Sequence, residues 1–332
     1  MEALTLGLAV AVFAVLAAEF VNGWTDAPNA IATVVSTGVM TPRAAIAMAV
    51  VLNTLGAMAG TAVATTVGKG IVAPDALTVP AITAAMCAII AWGTLAAKIG
   101  MPVSKSHALL AGLAGAAYEG GGFEALQWSG WQKVGYGMAL SIAFGMLGAL
   151  LLGWLIIRFA GGAKPAPAKR AFDRMQMLTA GAMAFTHGMN DGQKFMGVLA
   201  LTLYAGGAIP EFMIPGWVIL VCALTMGIGT AAGGWRIIET VGAKMTKLTS
   251  WQGFAATSAA SATIFGASVY GIPLSTTHTI TSAIVGVGAS RRVADVRWRV
   301  LQRIVMAWVL TFPCCAVLAY VAAYVANTLS GT

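Results

Sequence analysis

The chain has little charge. Only 9% of its 332 residues are charged, 19 basic and 11 acidic, whereas a soluble domain carries roughly 25%. A surface so poor in charge cannot coat itself for water. Histidine is scarce, with three residues, and the four cysteines (Cys87, Cys222, Cys314 and Cys315) all lie in apolar runs. No Cys/His spacing suits a metal centre, and no nucleophile–base pair can be argued, so the chain does not read as an enzyme. The thiols read as buried and say nothing about redox compartment. A basic leader region is missing as well. Glu2 stands where one would sit, so residues 1–20 read as the first membrane element and not as a signal peptide.

What the chain has instead is apolar length. Apolar residues make up 59% of it, glycine contributes 40 residues, and the mean hydropathy is +0.84. Abundant glycine suits close helix packing in lipid. The net charge of +8 comes from basic residues gathered in a few short loops. That pattern reports membrane orientation and not a nucleic-acid footprint. Apolar stretches fall near residues 3–21, 29–66, 78–97, 102–118 and 134–157, then near 175–209, 214–233, 252–269, 272–290 and 300–326. A full helical span needs about 20 residues. The stretch at 29–66 is too long for one span and is punctuated by Gly38 and Pro42, while 102–118 is short. Such segments in matched positions point to broken or re-entrant helices.

The matched positions are explicit. Gly100-Met101-Pro102-Val103-Ser104-Lys105-Ser106-His107 recurs 171 residues later as Gly271-Ile272-Pro273-Leu274-Ser275-Thr276-Thr277-His278. Upstream, the phrase from Asn22 to Asn29 recurs 165 residues later as His187 to Lys194. Between the copies lies a basic segment, residues 159–174, which the positive-inside rule assigns to the cytoplasm. The loop after the first Ser/His phrase, residues 119–133, carries Glu119, Glu124 and one lysine. The matching loop, residues 290–303, carries five arginines and Asp295. Opposite charge bias in matched loops is the mark of an inverted repeat. The expected division is therefore a first repeat over 1–158, a linker over 159–174 and a second repeat over 175–332, with both chain ends outside. Trp128, Trp131 and Trp298 fit interfacial placement, and the stretch from Trp235 to Lys247 reads as a cytoplasmic amphipathic segment without a transport role.

The polar phrases carry the chemistry. Proline suits the first turn of a helix, and serine or threonine caps one. A helix start offers free N–H groups and a positive dipole end to an anion. Two such starts could grip a tetrahedral oxyanion from both sides, through Ser104, Ser106, Ser275, Thr276 and Thr277. Asp26 and Asp191 are expensive inside a membrane segment. Beside an anion site they need a cation between them, for which carboxylates, amides, hydroxyls and freed carbonyls are suitable ligands; alternatively one carboxylate carries a proton. Lys105 stands where the other half has Thr276, and Lys194 where the other half has Asn29. Each lysine either binds the oxyanion, replaces a sodium site with a fixed cation, or pairs with a nearby aspartate. Glu19 is a further proton or cation candidate. The histidines could relay protons, although His107 and His278 read better as fixed hydrogen-bond donors behind the helix starts.

At these phrases the chain resembles the inorganic phosphate transporter family, PiT, whose animal members are the type III sodium–phosphate cotransporters. Asn22-Gly23…Asp26…Asn29-Ala30-Ile31-Ala32-Thr33 is similar to the family's first signature, His187-Gly188…Asn190-Asp191 to its second, and Pro273-Leu274-Ser275-Thr276-Thr277-His278 to its Pro-Val-Ser-Thr-Thr-His form. The absence of a large central loop resembles the short prokaryotic members. The resemblance implies an all-α polytopic membrane protein of two inverted-topology repeats, with broken first helices and two re-entrant helical hairpins. It implies a homodimeric symporter of the cell membrane that imports phosphate with sodium or protons and needs no cofactor. Asp26, Asn29, Asn190 and Asp191, with Asn22 nearby, would hold the cation, sodium being the metal in question. Ser104, Lys105, Ser106, Ser275, Thr276, Thr277 and Lys194 would surround phosphate. Thr25, Lys105 and Lys194 depart from the sodium-coupled pattern and leave the coupling ion open. The alternatives are a sulfate permease of the same fold and an anion channel, which would need a continuous polar path.

Overall fold

The structure, a computed structural model, describes residues 6–330. The expectation that both chain ends face outward falls on residues outside that range. The described residues form an all-α polytopic bundle in which one series of elements occurs twice. The first series is α1 (Leu6–Ser36), α2 (Pro42–Ala57), α3 (Ala62–Gly70), α4 (Val79–Lys98), α5 (Lys105–Gly121) and α6 (Trp128–Ala160). The second is α7 (Pro165–Ala205), α8 (Gly216–Ala231), α9 (Trp235–Glu239, widening into a π-helical turn over Thr240–Lys244), α10 (Ser250–Val269), α11 (Thr276–Arg291) and α12 (Trp298–Ser330). By length and apolarity α1, α4, α6 and α12 can each cross a membrane, and the α2/α3 and α8/α9 pairs would each add one bent span. α6 and α12 expose Phe144, Leu147, Trp154, Val309, Val317 and Val321, an apolar face of the kind that marks contact with a membrane or another apolar surface.

Each hairpin is written locally. α4 ends in Gly100 at φ +72° and α10 in Gly271 at φ +65°. The Met101 N–H reaches back to the Ala96 carbonyl at 2.9 Å, and the Ile272 N–H to Ala267 at 2.8 Å. This is the glycine-terminated helix end, in which the left-handed residue lets the chain turn back to satisfy free carbonyls. Pro102 or Pro273 follows and cannot continue the helix. Ser104 then caps α5 and Ser275 caps α11, each hydroxyl accepting from the histidine N–H three residues on at 3.2 Å. Both hairpins so formed end at buried tips.

Two placements differ from the sequence reading. The backbone stays helical through Asn22–Asn29 and His187–Lys194, and the breaks fall one element later, at bends of 67° between α2 and α3 and 69° between α8 and α9. Asn29 of α1 and Asn190, Asp191 and Lys194 of α7 find partners on other elements and so do not compete for their own backbone, while the Thr25 hydroxyl bonds the Val21 carbonyl one turn back without breaking the helix. At the first bend the Gln193 side chain accepts from the Val63 N–H at 2.9 Å, which satisfies a free donor of α3. Most of the stretch from Trp235 to Lys247, read from sequence as a cytoplasmic amphipathic segment, is the second limb of a bent pair, residues 235–244. Ile237, Ile238 and Val241 are buried, and the segment packs on α1. The basic segment is itself mostly the first turns of α7, where a 2.7 Å hydrogen bond from Lys169 holds the half-buried Asp173 carboxyl below its ordinary range.

The repeats hold each other through exchanged contacts. α1 packs on α8 as α7 packs on α2, and α5 packs on α12 as α11 packs on α6. Backbones touch at matched glycines. A Cβ on Gly23 would lie 2.3 Å from the Met226 carbonyl oxygen, and one on its counterpart Gly188 would lie 2.1 Å from that of Asn53. Gly56 against Phe185 and Gly229 against Phe20 repeat the pattern at 1.9 and 2.2 Å. Small residues that let helices approach are the usual means of association where lipid removes the hydrophobic drive.

Gly188→Ala is expected to destabilise the detergent-solubilised protein, because a backbone carbonyl cannot step aside and overpacking costs about 1–3 kcal/mol. Gly266→Ala, with no atom within 4 Å of the added carbon, is expected to be neutral or to gain up to about 1 kcal/mol from helix propensity. Equal melting temperatures for the two variants would refute this account of the packing.

Candidate functional site

α1 carries a buried polar stripe. Glu19, Asn22, Asp26, Asn29 and Thr33 recur at three- and four-residue spacing and are all fully or almost fully shielded, so one face of the helix presents them together. On α7 the matching face presents His187, Asp191 and Lys194, equally buried. The two helices pack on each other, and the tips of both hairpins close over them.

The contacts cross between repeats. Thr277, on the second repeat's hairpin, donates to Asp26 Oδ1 at 3.1 Å. Asn29 Nδ2 bridges the same two groups, 3.3 Å from Asp26 Oδ1 and 3.1 Å from Thr277 Oγ1. Lys194, on α7, donates to Ser106 Oγ on the first repeat's hairpin at 2.5 Å and to the Leu274 carbonyl at 2.8 Å, and it is ion-paired with Asp191 Oδ1. Asp191 Oδ2 accepts from Thr276 Oγ1 at 3.0 Å and lies 3.3 Å from His187 Nε2. The hairpins meet directly, with Ser275 Oγ donating to Ser104 Oγ at 2.8 Å. Ser106 Oγ also donates to the Leu274 carbonyl at 3.1 Å.

Ser104, Ser106, Ser275, Thr276, Thr277, Asp26, Asn29, Asp191 and Lys194 are thus brought into one cluster. Lys105 is buried beside them and acts on Asp26 electrostatically, though it makes no ion pair within 4 Å among the described residues. Asn22 sits one turn below, donating to Glu19 Oε2 at 3.0 Å. Asn190 donates its amide N–H groups to Ser268 Oγ at 2.9 Å and to the Ile272 carbonyl at 3.3 Å, which braces the end of α10, while its Oδ1 is a buried acceptor without a partner. His107 and His278 do not act as donors behind the helix starts. Their rings meet edge to face at 4.4 Å and pack on Phe312 and Trp308, and both nitrogens of His278 lack a partner.

Sequence reasoning did not single out Asn53, whose Oδ1 lies 2.8 Å from His187 Nδ1, or Ser141, which accepts from the Ser275 N–H at 3.2 Å. A lone amide in the middle of the 29–66 apolar stretch was the available signal for Asn53; Ser141 left none.

A cation finds oxygen donors here. Ligand atoms of Asp26, His187 and Asp191 lie within 4.8 Å of one another, and Asp26 Oδ2 and Asn29 Oδ1 are buried acceptors without a partner. Unpaired buried acceptors are costly, and a hard cation such as sodium would satisfy both. Grooves on the outer face, such as the one lined by Thr37, Ile156, Phe172 and Trp251, contain none of these residues.

Comparison with known proteins agrees with the geometry. Residues 22–319 match the Phosphate transporter family. A protein of Bacillus subtilis (strain 168) named as a probable low-affinity inorganic phosphate transporter is 41% identical over 334 residues, covering 99% of this chain and 100% of that one. One of the same name from Rhizobium meliloti (strain 1021) is 40% identical over 318 residues, 94% of each chain. Among solved structures, one titled "The sodium-dependent phosphate transporter" superposes with a TM-score of 0.81 at 24% identity, over 97% of this chain and 99% of that one. That likeness establishes the fold.

Ser104 and Ser275 each cap a helix and share one hydroxyl contact. Ser104→Ala and Ser275→Ala are each expected to cost about 1 kcal/mol of stability. The double variant should lose less than the sum, because the shared bond is removed only once. Strict additivity in thermal denaturation would show that the tips do not hold each other.

Proposed function

The chain belongs to the phosphate transporter family, and on that premise we propose that it is a secondary active symporter that imports inorganic phosphate together with a cation. The observation that carries this reading is the meeting of two serine-capped helix starts, one from each repeat, beside a set of charges that does not balance. The buried charged side chains among the described residues are Glu19, Asp26, Asp191, Lys105 and Lys194. Counting each of these carboxylates as −1 and each ammonium as +1, they sum to a formal charge of −1. A phosphate anion deepens that deficit in a medium where unbalanced charge is expensive. The anion therefore enters only with a cation, and that requirement is the coupling.

In this reading phosphate takes the helix-start donors of α5 and α11, with Ser104, Ser106, Ser275, Thr276 and Thr277 around it and Lys105 as its cationic partner. The tips touch each other in this structure, so they part to admit the anion. The cation takes the open oxygens of Asp26 and Asn29, close to Thr277 and Asp191. Its binding draws together α1 of one repeat and the hairpin of the other, which assembles the anion site. Transport is the rocking of one set of elements against the other around this point. The basic segment 159–174 faces the cytoplasm, both chain ends face outward, and the carrier works in the cell membrane as a homodimer. A sodium ion suits the carboxylate, amide and hydroxyl donors, and a proton on one carboxylate would restore the same charge balance.

Uptake of radiolabelled phosphate into proteoliposomes, with excess unlabelled sulfate and under an imposed sodium or proton gradient, tests the reading. Phosphate uptake driven by one gradient and indifferent to sulfate is expected; sulfate uptake in its place would overturn the substrate. Asp26→Asn and Asp191→Asn are each expected to abolish gradient-driven uptake while the protein still purifies as an assembled species. Normal uptake by both variants would sink the mechanism.

A further inference from the structure

The two repeats treat their matched carboxylates differently, and the difference concerns the number of cations moved. Asn29 and Lys194 occupy equivalent places. Each lies three residues after its aspartate on the central helix of its repeat, and each bridges that aspartate to a hydroxyl on the opposite hairpin. Asn29 joins Asp26 to Thr277, and Lys194 joins Asp191 to Ser106. Ser106 and Thr277 are themselves counterparts, 171 residues apart.

The electrostatic consequence is opposite in the two places. An ammonium has three N–H donors, and those of Lys194 go to Asp191 Oδ1, Ser106 Oγ and the Leu274 carbonyl. None is left for a substrate anion. Asp191 is equally occupied, since its other oxygen accepts from Thr276 and faces His187. On the first repeat the amide of Asn29 supplies the same bridge without charge. There Asp26 Oδ2 and Asn29 Oδ1 remain without partners, although both are fully buried. Lys105 is the only other buried ammonium among the described residues, and it makes no ion pair with Asp26, which leaves it available to the anion.

Building on the symport reading above, we infer that Lys194 is a tethered cation standing in the second repeat where a transported cation stands in the first, so that the carrier has one exchangeable cation site where a fully symmetric carrier would have two. Lys194 then neutralises Asp191 throughout the cycle and does not bind phosphate. Asp26, Asn29 and Thr277 hold the cation that moves, with the Val103 carbonyl, counterpart of Leu274, as the additional oxygen that the pseudo-symmetry supplies.

The test is the number of cations per phosphate in proteoliposomes containing the full chain, read from the dependence of initial phosphate uptake on the driving cation and from the zero-flux potential. The unmodified protein is expected to show first-order dependence. Lys194→Asn, which copies the first repeat's arrangement into the second, is expected to raise the order to two and to carry one more positive charge per phosphate. Lys194→Arg keeps the charge and is expected to stay first order. An active Lys194→Asn variant with unchanged order would overturn the inference, and so would second-order dependence in the unmodified protein. If the Asn variant does not assemble, the unmodified protein's cation count decides. The same count can be made without any anion, by radiolabelled sodium binding and by proton uptake in the purified protein. One additional cation in the Asn variant supports the inference and none refutes it, whichever anion is carried. Failure of phosphate uptake by the unmodified chain would instead strike the proposed function.

Discussion

Charge buried in an apolar bundle has to be answered locally, and here part of each answer at the central aspartates comes from the other repeat. Asp26 on α1 is met by Thr277, and the Lys194–Asp191 pair on α7 is met by Ser106 and Thr276. Ion pairs taken out of water do little for stability unless every donor and acceptor is met. The fold therefore has to bring two central helices and two hairpin tips to one point. The exchanged packing of α1 on α8, α7 on α2, α5 on α12 and α11 on α6 follows from that requirement as much as from apolar burial.

Duplication makes such a centre economical to build. One hairpin design, with a glycine-terminated helix, a proline and a serine cap, is used twice and presents two helix starts to the same space. Drift between the copies then adjusts the centre without changing the scaffold. A lysine in place of an asparagine on α7, and another in place of a threonine on the first hairpin, alter the charge while the backbone contacts at Gly23, Gly188, Gly56 and Gly229 stay paired.

Much of this was legible in the sequence because it is written in local rules. The Gly-x-Pro-x-Ser phrases contain the turn, the stop and the cap within a few residues, so the hairpins and the site hydroxyls follow from the residues alone. Asp26 and Asp191 stood out because an aspartate in an apolar run is expensive. Features set by distant partners were not legible. Helical continuity through Asn22–Asn29 is accompanied by tertiary contacts of Asp26 and Asn29 to Thr277, about 250 residues away in the chain. The apolar packing of His107 and His278 depends on Trp308 and Phe312, about 200 residues away from His107 and brought close only by the fold. That the amide nitrogen of Asn190 meets α10 was likewise not legible, because the contact is set by a segment about 80 residues further along the chain. Ser141 gave no sign at all, since a serine one turn from a glycine is ordinary in a membrane helix.

The exchange of partners between repeats also bears on biosynthesis. α4 and α5 are covered chiefly by α12, the last helix in the series, and the hairpin they form carries Lys105 into the membrane interior. Until α12 has emerged from the ribosome, that ammonium has no finished environment. A half-made chain therefore offers the insertion machinery a hairpin with an uncovered flank, and the nascent protein has to remain supervised almost until translation ends. Termination after α5 but before α12 would leave a product recognisable to membrane quality control by a charge without its full shelter.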